Sequence, residues 1–263
     1  MQALAIRVIK KYLWMGALLL IAWPALAQDK ACAVVVMHGK WGSPQYLASF
    51  GRKLEPTCAY KSIELPWAHR RAYDQPYPVA LADIAKQVQQ FRELGYQRVL
   101  LAGHSFGANA ALAYMAEVGD ADGVIALAPG HSPAIMYNRG IGRSEVDKAR
   151  ELVAAGKGDE SITMDDLNQG KRLSMRMSAT TLLSYFDPVG LGHMPGTAAR
   201  FKKSVPFLWV IGTADPLYAA GPDFVFNRAP AHPASKYLVV QADHAGTPDA
   251  AAAEVLAWVK SLP

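Results

Sequence analysis

The segment that most constrains this chain is Gly103-His104-Ser105-Phe106-Gly107, read together with its two flanks. On the N-terminal side, Arg98-Val99-Leu100-Leu101-Ala102 is a short apolar run of the kind that forms a buried parallel strand. On the other side, Ala108-Asn109-Ala110-Ala111-Leu112-Ala113-Tyr114-Met115 is rich in the strongest helix former. A strand that turns sharply into a helix through Gly-x-Ser-x-Gly holds its serine in a strained backbone conformation. The glycines leave room where a Cβ would strike neighbouring backbone. The serine hydroxyl then stands at the end of the sheet, above a helix N-terminus.

The rest of the chain repeats the strand-then-helix rhythm. Six strand-like runs, Val34–Met37, Ser62–Leu65, Val99–Ala102, Val124–Leu127, Phe207–Ile211 and Tyr237–Val240, alternate with helical segments. That alternation predicts a mainly parallel sheet of about six strands, covered by helices on both faces. Three of the runs end in chemically suggestive loops. Ala33-Val34-Val35-Val36-Met37 leads into His38-Gly39-Lys40-Trp41-Gly42, and Pro206–Ile211 leads into Gly212-Thr213-Ala214-Asp215-Pro216. Lys236–Val240 leads into Gln241-Ala242-Asp243-His244.

These motifs resemble those of the α/β-hydrolase superfamily, in which the strained turn is the nucleophile elbow, and the likeness spans essentially the whole chain after the leader. It implies the chain order serine, acid, histidine, which assigns Ser105, Asp215 and His244 as the catalytic residues. Asp243 and Asp187 are the competing acids; the first adjoins the histidine and reads as a turn residue, and the second lies in a long insertion. His-Gly after the first strand is the superfamily's oxyanion-loop signature. The backbone amides of Lys40 and Phe106 would be the two donors, with Trp41 the alternative to Lys40, and His38 and Gly39 would support the loop. The superfamily sheet usually has eight strands, the first two of which have no counterpart here. Serine at the elbow argues against dehalogenases and typical epoxide hydrolases, which use aspartate there.

The first 27 residues read as a secretory signal. Basic Arg7, Lys10 and Lys11 precede an apolar run from Leu13 to Trp23 and a small-residue cleavage site at Ala25-Leu26-Ala27. The run is shorter than the roughly 20 residues of a spanning helix, so an exported, periplasmic or secreted protein without a stable membrane anchor is expected over residues 28–263. The formal charge of +5 becomes +2 once the three leader cations are removed, 5 − 3, and it gives no argument for a nucleic-acid partner. Only two cysteines occur, Cys32 and Cys58. In the superfamily their two strands are parallel neighbours, which implies a disulfide suited to an oxidising compartment; two free buried thiols are the alternative.

Residues 131–204 break the rhythm. They lack an apolar strand run, read as mainly helical, and occupy the position where the superfamily inserts its cap. Ser144-x-x-Asp147 and Thr163-x-x-Asp166 read as helix starts. Met136, Met164, Met175, Met177 and Met194 either pack the cap or line an adaptable acyl pocket. Positive and negative side chains nearly balance there, so no strongly charged substrate is indicated. Tyr185-Phe186 and Asp187-Pro188 mark the cap's exit towards the core. The loop from Pro66 to Tyr77 carries aromatics and cations on the same side of the sheet, and Trp41, Trp67 and His69 are candidate substrate contacts.

No other chemistry competes. Gly156-Lys157-Gly158 lacks the glycine spacing of a phosphate loop, and the histidines lack the i, i+4 pairing of a helical zinc site, so neither cofactor nor metal is expected. The resemblance implies a carboxylic ester hydrolase acting on a small-molecule acyl substrate through a Ser-His-Asp triad, with activity falling at acid pH as His244 takes up a proton. A peptidase, amidase or thioesterase with the same triad, or a non-catalytic binding protein on this fold, are the alternatives. Oligomeric state, chain length and leaving group lie outside the sequence.

Overall fold

A computed structural model describes residues 30–263. The expected signal segment, residues 1–27, therefore lies outside the described residues. Strands β1 (Cys32–Met37), β2 (Ala59–Ile63), β3 (Arg98–His104) and β4 (Gly123–Leu127) come first, followed by a hairpin of β5 (Ser161–Asn168) and β6 (Lys171–Ser178). Strands β7 (Phe207–Gly212) and β8 (Lys236–Val240) complete the set. Helices α1 (Ala48–Leu54), α2 (Tyr77–Glu93) and α3 (Phe106–Glu117) lie among the early strands. Helices α4 (Pro133–Asn138), α5 (Arg143–Ala154), α6 (Ala179–Phe186) and α7 (Met194–Ala199) lie between β4 and β7, and α8 (Thr247–Ala250) and α9 (Ala252–Ser261) close the chain.

Six strands form one parallel sheet in the order β2-β1-β3-β4-β7-β8. Alternation along β1 shows why both faces are covered. Ala33, Val35 and Met37 enter the core shared with α2 and α3, whereas Cys32, Val34 and Val36 enter the opposite core with Phe50, Leu54 and Trp258. Every residue of α3 from Phe106 to Ala116 is buried, as expected of a helix apolar on all sides. From β1 the chain moves outward to β2, and from β3 it moves the other way to β4. The loops leaving β1 and β3 therefore diverge at a topological switch point, where open parallel sheets bind ligands.

Two local expectations are corrected. The second strand lies at Ala59–Ile63 rather than Ser62–Leu65. It is a half-exposed edge strand, set in register by Ala33 opposite Ala59. Leu65 lies beyond the ladder, and its amide donates to His38 Nε2 at 3.2 Å. One step before Ala33 and Ala59, a disulfide joins Cys32 to Cys58, with Cα atoms 4.8 Å apart.

The segment between β4 and β7 is mixed rather than mainly helical. Thr163 and Asp166, read as a helix start, lie in β5; Ser144 lies one residue inside α5. In β5 the pattern is Ile162 and Met164 inward, Thr163 and Asp165 outward, and Met175 and Met177 face inward from β6. That is a two-residue period and gives strands. Gln169 and Gly170 close the hairpin with φ of +49° and +78°, the left-handed pair of a type I′ turn. No helix among the described residues is long and apolar enough to cross a membrane.

Candidate active site

The turn after β3 is as tight as the sequence requires. Ser105 has φ +55° and ψ −115°, a conformation that costs an L-residue about 1–3 kcal/mol. Its backbone is tied down on both sides: the amide donates to Leu127 O at 3.0 Å, and the carbonyl accepts from Ala108, Asn109 and Gly130. A Cβ on Gly103 would overlap the Gly107 carbonyl group, and one on Gly107 would overlap the Met37 carbonyl group. Close approach of backbone, not φ, makes both positions glycine.

His244 and Asp215 follow β8 and β7, the two strands at one end of the sheet. His244 Nδ1 is 2.6 Å from Asp215 Oδ2. The carboxylate's other oxygen accepts from the Leu217 amide at 2.7 Å, and Asp215 is buried. With Nδ1 donating to a carboxylate, Nε2 carries the lone pair. Ser105 and His244 line one cavity. A Cβ built on Gly130 would stand 2.7 Å from Ser105 Oγ and 3.4 Å from His244 Cε1, so these groups flank that glycine. Ser105 Oγ makes no hydrogen bond to His244; such contacts commonly tighten only with substrate. The competing acids are engaged elsewhere. Asp187 pairs with Arg150 at 3.0 Å, and Asp243 accepts from the Gly246 amide as a turn residue.

Two buried histidines hold the surrounding loops. His38 Nδ1 donates to Gly39 O at 2.8 Å while Nε2 accepts from Leu65, so both nitrogens are used by the neutral ring, and burial lowers its pKa. His104 Nε2 donates to the His244 carbonyl at 2.9 Å, fixing the loop that carries that residue. Burial, helped by the neighbouring His244, lowers the His104 pKa to about 4.

The loop after β1 leaves the Lys40 amide unengaged. The Trp41 amide donates to Trp67 O at 2.8 Å, whereas the Lys40 and Phe106 amides donate to no group among the described residues. Phe106 is clamped between two stacked rings, Trp67 at 4.4 Å and His131 at 3.8 Å. Trp67 is fully buried, borders no cavity around Ser105, and donates through Nε1 to His38 O at 2.9 Å. It packs the loop rather than meeting a ligand. Trp41 and His69 do border the cavity beside Ser105. Of the five insertion methionines, Met164, Met175, Met177 and Met194 are buried in the core, and Met136 lines the cavity.

The Lys40 side chain was not anticipated. It is buried, with Nζ 2.6 Å from Asp166 Oδ1 and 3.2 Å from Leu167 O. Burial lowers its pKa, against the opposing pull of Asp166. Asp166 also accepts from Tyr73 OH at 2.8 Å, and Asn168 Nδ2 donates to Lys40 O at 3.1 Å. The hairpin is thereby anchored to the loop after β1. An aspartate at an inward position of an alternating strand was the sequence signal, visible only once the strand period is recognised.

No curated protein matches the chain by sequence. Solved structures share its fold at low identity. A monoacylglycerol lipase of Paleococcus ferrophilus is 18% identical, with TM-score 0.60, over 86% of this chain and 94% of its own. Est1E of Butyrivibrio proteoclasticus, solved with ferulic acid, is 16% identical, with TM-score 0.61, over 89% and 90%. A thermostable carboxyl esterase of Bacillus coagulans is 14% identical, with TM-score 0.61, over 87% and 89%. The family model of the alpha/beta hydrolases matches residues 34–258, so with this sheet order and this strand-to-helix turn the chain belongs to the alpha/beta hydrolase family.

Proposed function

We propose that this protein is a serine hydrolase that cleaves carboxylic esters through an acyl-enzyme, with Ser105 as nucleophile, His244 as base and Asp215 as its partner. One observation carries the reading: Ser105 and His244 border one cavity, and Asp215 is bonded behind the imidazole. His244 Nε2 takes the Ser105 proton as Oγ attacks the carbonyl carbon. The tetrahedral oxyanion is held by the Phe106 and Lys40 amides, donors worth about 3 kcal/mol each in comparable sites. His244 then protonates the leaving oxygen, the alcohol departs, and water repeats the cycle to release the acid.

Residues 131–204 are proposed as the cap over this site, since Asn168 and Gln169 of its hairpin border the cavity. Export is proposed from the leader sequence, in keeping with the disulfide between Cys32 and Cys58. Hydrolysis of p-nitrophenyl esters from acetate to palmitate tests the reading. Turnover by the wild type that is lost in Ser105→Ala supports it, and the preferred chain length measures the pocket. Failure on every ester, with cleavage of p-nitroanilides instead, moves the assignment to an amidase.

A further inference from the structure

Two chambers meet at Ser105. The larger, of about 470 Å³, is bordered by Trp41, Tyr46, His69, Lys171 and Arg172. The smaller, of about 220 Å³, is bordered by Ile135, Met136, Leu217, Asp215 and His244. Lys40, Ser105, Asn168 and Gln169 border both, so the hairpin tip and the loop after β1 form the partition above the serine. The near balance of charge over residues 131–204 is not a local balance. Lys171 and Arg172 sit together on β6 beside the hairpin turn, exposed, and neither forms an ion pair or side-chain hydrogen bond among the described residues. No carboxylate lines the larger chamber. Arg172 also borders a neighbouring hollow with Glu145 and Asp165, whereas Lys171 does not.

The chambers also differ in their relation to the proton donor. His244 borders only the smaller one. Because the leaving oxygen takes its proton from His244, the alcohol part of an ester lies on that side and the acyl part runs into the larger chamber. We propose that Lys171 and Arg172 select esters whose acyl chain ends in an anion, such as half-esters of dicarboxylic acids, with a compact apolar alcohol. The assignment of sides rests on the serine-hydrolase reading above.

The test compares kcat/KM for the p-nitrophenyl half-esters of adipic and suberic acid with that for p-nitrophenyl hexanoate and octanoate. Each exposed ion pair contributes about two- to fivefold, so the wild type should favour the anionic member by about tenfold at low salt. That preference should shrink towards one in 1 M NaCl, where charges are screened beyond about 3 Å. In Lys171→Glu/Arg172→Glu the ratio should fall below one; Lys171→Gln/Arg172→Gln, with a smaller charge change on the same exposed hairpin, should bring it near one. A wild-type ratio at or below one, or a ratio unmoved by the substitutions and by salt, overturns the inference while turnover of the neutral esters leaves the hydrolase reading standing. Fluorophosphonate labelling of Ser105 without turnover of either series also overturns the inference alone. Neither labelling nor turnover overturns both.

Discussion

Removing the Asp166 carboxylate isolates the role of the buried pair beneath the candidate oxyanion loop. In the native protein Lys40 and Asp166 are 4% and 0% exposed at the side chain. Besides the carboxylate, the ammonium meets only the Leu167 carbonyl at 3.2 Å and the Phe186 ring at 5.4 Å. Asp166→Ala leaves that charge buried without a counter-ion and strands the Tyr73 hydroxyl. Breaking a buried pair from one side costs about 3–5 kcal/mol. For a chain of this size each kcal/mol lowers Tm by about 2–4 °C, which puts the expected drop at about 6–20 °C. Urea unfolding followed by tryptophan fluorescence gives the free energy, and calorimetry gives Tm. The control is Lys40→Met/Asp166→Leu, which removes both charges. Replacing a buried pair with apolar groups of similar volume is commonly close to neutral, so most of the lost stability should return. Asp166→Asn, which keeps a group to accept from Tyr73 but loses the charge, should fall between. An Asp166→Ala protein within 1 kcal/mol of the wild type, or a double variant no better than the single one, refutes the reasoning.

Other consequences are as direct. Cys32→Ser/Cys58→Ser opens a cross-link spanning 26 residues, for which the chain-entropy model gives a loss of about 3.5 kcal/mol, measurable as a shift in urea midpoint. His104 has a folded-state pKa of about 4, below its unfolded value, so the unfolded chain binds the extra proton. Stability is therefore full above about pH 6.5 and falls as pH drops towards 4, by about 3 kcal/mol for this residue. A His104→Gln variant should show a flatter profile of urea midpoint over that window. Gly107→Ala forces a methyl into the Met37 carbonyl group and should cost at least 1–3 kcal/mol, about the range of an overpacked core, with loss of the proposed esterase activity.

The sequence was most legible where chemistry and fold share one residue pattern. Apolar runs marked β1, β3, β4 and β7, because a strand buried on both faces has no polar side to interrupt it, and Tyr237–Val240 marked β8 although it is a half-exposed edge strand. The strained turn was visible from Gly103 and Gly107, whose missing Cβ atoms the fold requires. The hairpin was missed for the complementary reason. β5 and β6 cover the core with one face only, so their apolar residues alternate with Thr163, Asp165, Ser174 and Arg176 and never form a run. Residues at a two-residue period were read against a template of helix starts. That error hid Asp166, and with it the partner of Lys40. The Lys40 amide and side chain do different things, and only the loop's path separates them. Trp67 was grouped with Trp41 and His69 as a candidate substrate contact, although its ring packs on Phe106 and its N–H holds the His38 carbonyl. A proline-rich loop gives no sequence signal for which aromatic turns inward.

Covalent labelling bears on the proposed nucleophile without any knowledge of the natural substrate. The protein, treated with a fluorophosphonate and digested, is analysed by mass spectrometry beside its His244→Ala variant. The expected result is a single adduct on Ser105 in the wild type, formed at least 100-fold more slowly in His244→Ala, in line with about 10²–10⁴ for a positioned general base. An unlabelled Ser105, or labelling at a rate that does not depend on His244, contradicts the assignment of this site as a serine hydrolase.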